Sequence, residues 1–253
     1  MEKLIFKTKQ QLGRTAAELT KNIILNCLRQ KSVANIILAT GASQFETLAN
    51  LAASREIDFS KVIMFHLDEY IGLGENHPAG FRKYLKERFV RKVKDLKAVH
   101  FINPDANDPQ AECDRLTEII KDHPIDVALV GIGENGHLAF NDPPADFETD
   151  YPFIIVDLDE NCRKQQVAEG WFNTIADVPT QAVSMSIRQI MKSAFIVCSV
   201  PDKRKAQAVK DTLTGPVMNM CPASILQTHN NCKIFLDEDS ASLLLQNKQG
   251  KNL

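Results

Sequence analysis

Three short clusters in this chain combine residue types that can do chemistry. The first is Thr40-Gly41-Ala42-Ser43, a glycine among hydroxyl residues that ends an apolar run and opens an amphipathic one. Such a turn can point backbone N–H groups at an anion, although the same residues also serve as ordinary caps and turns. The second is Leu67-Asp68-Glu69-Tyr70, two adjacent acids directly after an apolar run. A carboxylate there needs a partner or a shifted pKa, and so can act as a general base. The third is 131–143, GIGENGHLAFNDP, with three glycines in six residues. That density implies a tightly wound loop with close backbone approach. His137 sits in it with Asn135, Gly136, Asn141 and Asp142 nearby, and a histidine so placed can move protons near neutral pH.

The segments that must position these clusters alternate in kind. Residues 34–40, 61–67, 126–131, 153–157, 194–200 and 233–237 are short, rich in Ile and Val, and nearly uncharged in the middle. They read as strands covered on both faces. Residues 8–30, 44–54, 81–92, 109–122 and 202–213 read as amphipathic helices, and Thr8 with Gln11 has the form of a capping box. Strand–helix alternation predicts an α/β fold, a single doubly wound, mostly parallel sheet with helices on both faces. Ligands in such folds bind beyond the carboxyl ends of the strands, where all three clusters fall. Residues 141–175 contain a long irregular stretch and are expected to form a lid within one domain spanning 1–253.

Composition narrows the function. The chain has 253 residues, 44% hydrophobic and 25% charged, with a net charge of −2. Nothing in that balance draws it to nucleic acid or membrane. The N-terminal segment lacks the apolar core of a signal peptide and no run is long enough to span a bilayer, so a soluble cytoplasmic protein is expected. Six cysteines, at 27, 113, 162, 198, 221 and 232, contain no CxxC pair. No structural zinc site is expected, and Cys27 and Cys198, in apolar runs, read as reduced buried thiols. A homo-oligomer is compatible with the sequence.

Taken together, the three clusters resemble the glucosamine-6-phosphate deaminase (isomerase) family. LDEYIGLGENHPAGF is similar to that family's phrase after its second core strand, GIGENGHLAFNDPP to its GxGxDGHxAFNEP loop, and ATGAS to its phosphate loop. The similarity extends from about residue 30 to 240. It implies a Rossmann-like fold of the sugar-phosphate isomerase type and a small sugar phosphate as the ligand. It also implies conversion of glucosamine or galactosamine 6-phosphate to the ketose 6-phosphate with release of ammonia, a reaction that needs no metal or organic cofactor. In that chemistry Asp68 would move a proton between C2 and C1, and His137 would open the ring. Thr40, Gly41, Ala42, Ser43 and Lys205 would hold the phosphate, with Glu69 and Gly136 beside the substrate. Three positions depart from the family pattern. Asn135 stands where the loop usually has Asp, and Asp142 where it usually has Glu. Gly170 falls where a phosphate-binding arginine is common, with Arg163 or Arg188 as candidate replacements. The NGH form resembles the galactosamine-6-phosphate branch. A lactone hydrolase of the 6-phosphogluconolactonase type and a non-catalytic sugar-phosphate-binding protein remain the alternative readings. For Asn135 without a charge, a carboxylate near His137 is required, with Asp142 the first expectation and Glu69 the second.

Overall fold

The computed structural model describes residues 1–249. Its strands are β1 (Glu2–Phe6), β2 (Ala34–Leu38), β3 (Val62–His66), β4 (Asp68–Tyr70), β5 (Ala98–His100), β6 (Val127–Val130), β7 (Phe153–Asp157), β8 (Gln181–Met185), β9 (Phe195–Val200) and β10 (Cys232–Asp237). The α-helices are α1 (Lys9–Gln30), α2 (Phe45–Ala52), α3 (Phe81–Leu85), α4 (Pro109–Lys121), α5 (Glu160–Ala168), α6 (Ile187–Met191), α7 (Ala206–Thr214) and α8 (Ser242–Gln249). Seven strands form a wholly parallel sheet in the order β1-β10-β9-β6-β2-β3-β5.

Alternating side chains of the central strands feed two cores, one on each face. Ile37, Phe65, Ala128 and Val130 enter one; Ile36, Leu38, Met64 and Leu129 enter the other. That two-sided burial is why these strands read as continuous apolar runs. From β2 the chain builds outward through β3 to β5, then returns to β6 beside β2 and builds the other way through β9 to β10. The crevice between β2 and β6 is therefore the topological switch point, where such folds bind ligands. The phosphate-type loop follows β2 and the glycine loop follows β6.

A second sheet differs from the expectation of one. It is antiparallel, in the order β4-β8-β7. The run 153–157, read as a strand of the parallel sheet, belongs here instead. Phe153 is buried, Ile154–Val156 are partly buried and Asp157 is exposed. One residue, Leu67, separates the end of β3 from the start of β4, so the chain steps from one sheet to the other at Asp68. The aromatic rings of Tyr70, Phe81, Phe140 and Phe172 pack against one another beneath this sheet. Two helical readings also change in detail. The segment from 81 starts as α3 and widens into a π-turn over Lys86–Val90. At the start of α1, the Thr8 hydroxyl accepts from the Gln11 N–H (3.2 Å), but Gln11 reaches back to the N–H of Lys7 rather than Thr8.

Candidate active site

The switch point opens into a cavity of about 550 Å³. Thr40, Gly41, Ala42, Ser43 and Lys205 line it, as do Asp68 and His137. Gly41 has φ +88°, a left-handed conformation that side chains rarely adopt. It turns the chain out of β2 so that the 3-10 turn Ala42–Gln44 and then α2 begin at the cavity. The loop is pinned from two sides: Tyr84 donates its hydroxyl to the Gly41 carbonyl (2.9 Å), and Gln44 donates to the carbonyl of Val130 at the end of β6 (3.1 Å). Lys205 closes a 3-10 turn just before α7 and is almost wholly buried. Burial pulls its pKa down, against the pull of the carboxylates around it. A buried ammonium in a cavity that also has a glycine turn at a helix start is a combination that suits a phosphate.

Asp68 is 6% exposed, and none of the described residues donates a hydrogen bond to its carboxylate. Burial first, and the charge of Glu69 second, push its pKa up to about 8. A carboxylate that binds a proton near neutral pH is a competent general base. Glu69, by contrast, faces away from the cavity. Its oxygens accept the N–H groups of Tyr70 (2.9 Å), Phe81 (3.1 Å) and Arg82 (2.6 Å), satisfying the open donors at the start of α3. Burial pushes its pKa to about 7 although those N–H groups oppose the shift. Its expected places beside the substrate and beside His137 are both corrected: successive strand residues point to opposite faces, and Asp68 takes the cavity side.

His137 is held by packing as well as by polar contact. A Cβ at Gly133 would lie 2.2–2.4 Å from the imidazole Cε1, Nε2 and Cδ2, so only glycine lets the ring lie there. Gly136, with φ +83°, makes the turn and does not itself line the cavity, so it does not stand beside the substrate as expected. Nδ1 of His137 lies 3.0 Å from Asp142 Oδ1, within ion-pair distance, though the ring N–H is not aligned for a straight hydrogen bond. This engages Nδ1 and leaves Nε2 as the nitrogen able to act on a ligand.

Asn135 works one step behind that contact. Its Oδ1 accepts the backbone N–H of His137 (3.1 Å), and its Nδ2 donates to Asp142 Oδ1 (3.0 Å) and Asp159 Oδ2 (3.2 Å). Asn135 thus orients the carboxylate and the loop rather than the imidazole. Asp142 also accepts the N–H of Asp159 (3.1 Å). Burial pushes the Asp142 pKa up, but the His137 ring, the Asn135 amide and the Asp159 N–H outweigh it and hold it below its ordinary value. Asp159, just before α5, was not singled out in the sequence. His137, Asp142 and Cys162 bring N, O and S donors within 4.8 Å of one another. Burial first, and the neighbouring Asp142 second, push the Cys162 thiol upward.

Neither arginine proposed for the phosphate reaches the cavity. Arg163 donates to the carbonyls of Ile175 (2.6 Å) and Val178 (3.0 Å), and Arg188 binds the Glu148 carbonyl (2.9 Å) and Asp150 (3.2 Å). The cations that line it beside Lys205 are Lys7, Lys9, Lys203 and Arg204, and Glu169 and Gln165 from the α5 region line it as well. Lys7 and Lys9 carry no sequence signal; only the docking of the start of α1 onto the sheet places them here.

A glycine turn at a helix start, a buried carboxylate with a raised pKa and a histidine–carboxylate pair around one switch-point cavity have the parts of an α/β acid–base site. The chain belongs to the family of glucosamine-6-phosphate isomerases/6-phosphogluconolactonase, which matches residues 7–235. It is 39% identical over 208 residues to a glucosamine-6-phosphate deaminase of Listeria monocytogenes serotype 4a (strain HCC23), covering 82% of this chain and 86% of that protein. It is 34% identical over 244 residues to a glucosamine-6-phosphate deaminase of Lactobacillus delbrueckii subsp. bulgaricus (strain ATCC BAA-365 / Lb-18), covering 96% of this chain and all of that one. Its fold superposes on a solved monomeric glucosamine-6-phosphate deaminase with a TM-score of 0.88 at 30% identity, covering 96% and 100% of the two chains. The 6-phosphogluconolactonase of Trypanosoma brucei shares the fold alone, with a TM-score of 0.77 at 18% identity over 96% and 98%. No helix among the described residues is long and apolar enough to cross a membrane.

Proposed function

We propose that this protein is an amino-sugar 6-phosphate isomerase and deaminase that converts glucosamine or galactosamine 6-phosphate to the ketose 6-phosphate and ammonia. The observation that carries the reading is the arrangement of the cavity. Asp68, whose carboxyl is pushed up to about 8, and His137 share it with the Thr40–Ser43 turn and buried Lys205. With the phosphate at the turn and Lys205, the reacting carbons lie toward Asp68 and His137. His137 Nε2 delivers a proton to the ring oxygen as the C1–O5 bond breaks, takes the proton released from the C1 hydroxyl, and returns it to that oxygen when the C1 carbonyl becomes the hydroxyl of the ketose. Asp68 removes the C2 proton and returns it to C1, which leaves nitrogen on a C2 that is now at the carbonyl oxidation level. Water adds there and ammonia leaves, completing a deamination that balances with one water consumed. Asp142, set by Asn135 and Asp159, supports the charged state of His137 as it turns over. Residues 141–175 serve as the lid, since Gln165, Gln166 and Glu169 from this segment form part of the cavity wall.

Ammonia release from glucosamine 6-phosphate and galactosamine 6-phosphate, measured side by side, tests the reading. Turnover of either supports it and their ratio assigns the epimer. Tight binding of both without ammonia would move the protein to a binding role, and hydrolysis of 6-phosphogluconolactone alone would move it to the lactonases.

A further inference from the structure

The phosphate end of the cavity contains a carboxylate that the proposed reaction does not use. Glu169 lies just beyond α5, and its Oε1 stands 3.9 Å from Lys205 Nζ, with both side chains about nine-tenths buried (8% and 10% exposed). The carboxylate is fixed in place. Gln165 Nε2 donates to Oε1 (2.8 Å) and Trp171 Nε1 donates to Oε2 (3.2 Å). Gln165 is itself anchored, its Oε1 accepting the N–H of Glu134 in the glycine loop (3.0 Å). Glu169 therefore stands as a set negative charge facing the same ammonium that a phosphate must use. The neighbouring cation is also committed: Arg204 lies 3.6 Å from Glu134 and 3.1 Å from Asp202.

Resting on the reading that this end of the cavity takes a phosphate, we propose that Glu169 is a specificity-determining residue that competes with the ligand's phosphate for Lys205. A buried ammonium left alone is costly, so in the empty cavity Glu169 satisfies it. A phosphate that arrives must share Lys205 with a carboxylate of its own sign. A sugar phosphate recovers that loss through contacts along the rest of the cavity toward Asp68 and His137. Inorganic phosphate has no such contacts and is rejected. The consequence is a site that holds phosphorylated sugars and does not fill with free phosphate.

The test is Glu169→Gln, which keeps size and part of the hydrogen bonding but removes the charge. Titration calorimetry with inorganic phosphate needs no turnover. Phosphate should bind the variant at least about tenfold more tightly than the unmodified protein, the effect of removing one like charge at close range with partial screening. The gain should shrink at high ionic strength, and binding of non-phosphorylated glucosamine should not change. Glu169→Ser should give the same direction if the first variant folds poorly. The double variant Glu169→Gln/Lys205→Gln should lose the gain, because the competition is for Lys205. Phosphate affinity that is unchanged or weaker in the single variants would overturn the proposal, as would a gain that survives in the double variant. A protein that releases no ammonia but shows the tightened phosphate binding would sink the deaminase reading and leave this one standing. Ammonia release without the tightening would do the reverse.

Discussion

Replacing Asp68 by Asn separates what this carboxylate does for chemistry from what it costs the fold. Asn is nearly isosteric, so no cavity opens and the neighbouring Glu69 contacts stay. Asp68 binds its proton with a pKa of about 8 against an ordinary 3.8. At about 1.4 kcal/mol per unit, the burial of its charge is worth at most about 6 kcal/mol. Water in the open cavity reduces this, and about 2 kcal/mol is a reasonable expectation. The sign follows from proton binding. Between pH 4 and 8 the folded state holds a proton that the unfolded state releases, so stability falls as pH rises through that window. Removing the carboxylate abolishes that fall. Asp68→Asn should therefore melt at the same temperature as the unmodified protein near pH 4, and about 4–8 °C higher at pH 9. The same variant should lose at least about a hundredfold in kcat with KM largely kept. Thermal melts at four or five pH values, beside steady-state ammonia release, give both numbers. A stability difference that does not vary with pH, or activity within about threefold, would refute the assignment of Asp68 as a buried proton-transfer base.

Lys205→Ala should raise KM for the phosphorylated sugar by at least about tenfold through loss of a charge-assisted contact; an unchanged KM in initial-rate assays would remove Lys205 from the phosphate site. Gly133→Ala would set a methyl group 2.2 Å from the His137 ring, so kcat should fall at least about tenfold as the ring is displaced, and activity within twofold would show that the ring has room to spare. Asn135→Asp would place a third carboxylate against Asp142 and Asp159. The added charge should favour imidazolium and move the acidic limb of the pH–rate profile upward without abolishing turnover. A limb that stays in place would show that Asn135 acts on the loop alone.

Residues buried on both faces were the easiest to read. β2, β3, β6, β9 and β10 stand out because nothing polar is tolerated in their middles, and the residues that follow them form the cavity. β1 was missed because it lies at the sheet edge and its EKLIF pattern is largely exposed. β4 and β8 were missed for another reason: Asp68 and Glu69 read as the end of a strand, and nothing local says that pairing resumes one residue later with a partner more than a hundred positions away. The site divides in the same way. Asp68, His137 and Lys205 sit where strand ends put them. Glu69 and Arg163 carry the right chemistry but spend it on backbone groups, which only the folded chain reveals. Asp159 and Glu169 come from the segment expected to be a lid, whose irregular sequence has no period from which to place a side chain.

Leu67 joins two sheets that run in different senses, and that has a mechanical meaning. The phosphate turn rides on the parallel slab through β2, while Asp68 rides on the antiparallel one through β4, paired to β8 and so to β7. On the proposed reading, the distance between the turn that would hold the phosphate and the carboxylate that would reach C2 is set by how the two sheets seat on each other, through a shared core in which Phe153, Val183 and Met185 of the small sheet join Ile37 and Val130 of the large one. It works as a calliper whose jaws are set by how the small sheet sits on the large one. Sugars of one chain length would fit the jaws, and a substitution far from the cavity that tilts β7 or β8 by a fraction of an ångström would reset the gauge without touching any residue of the site.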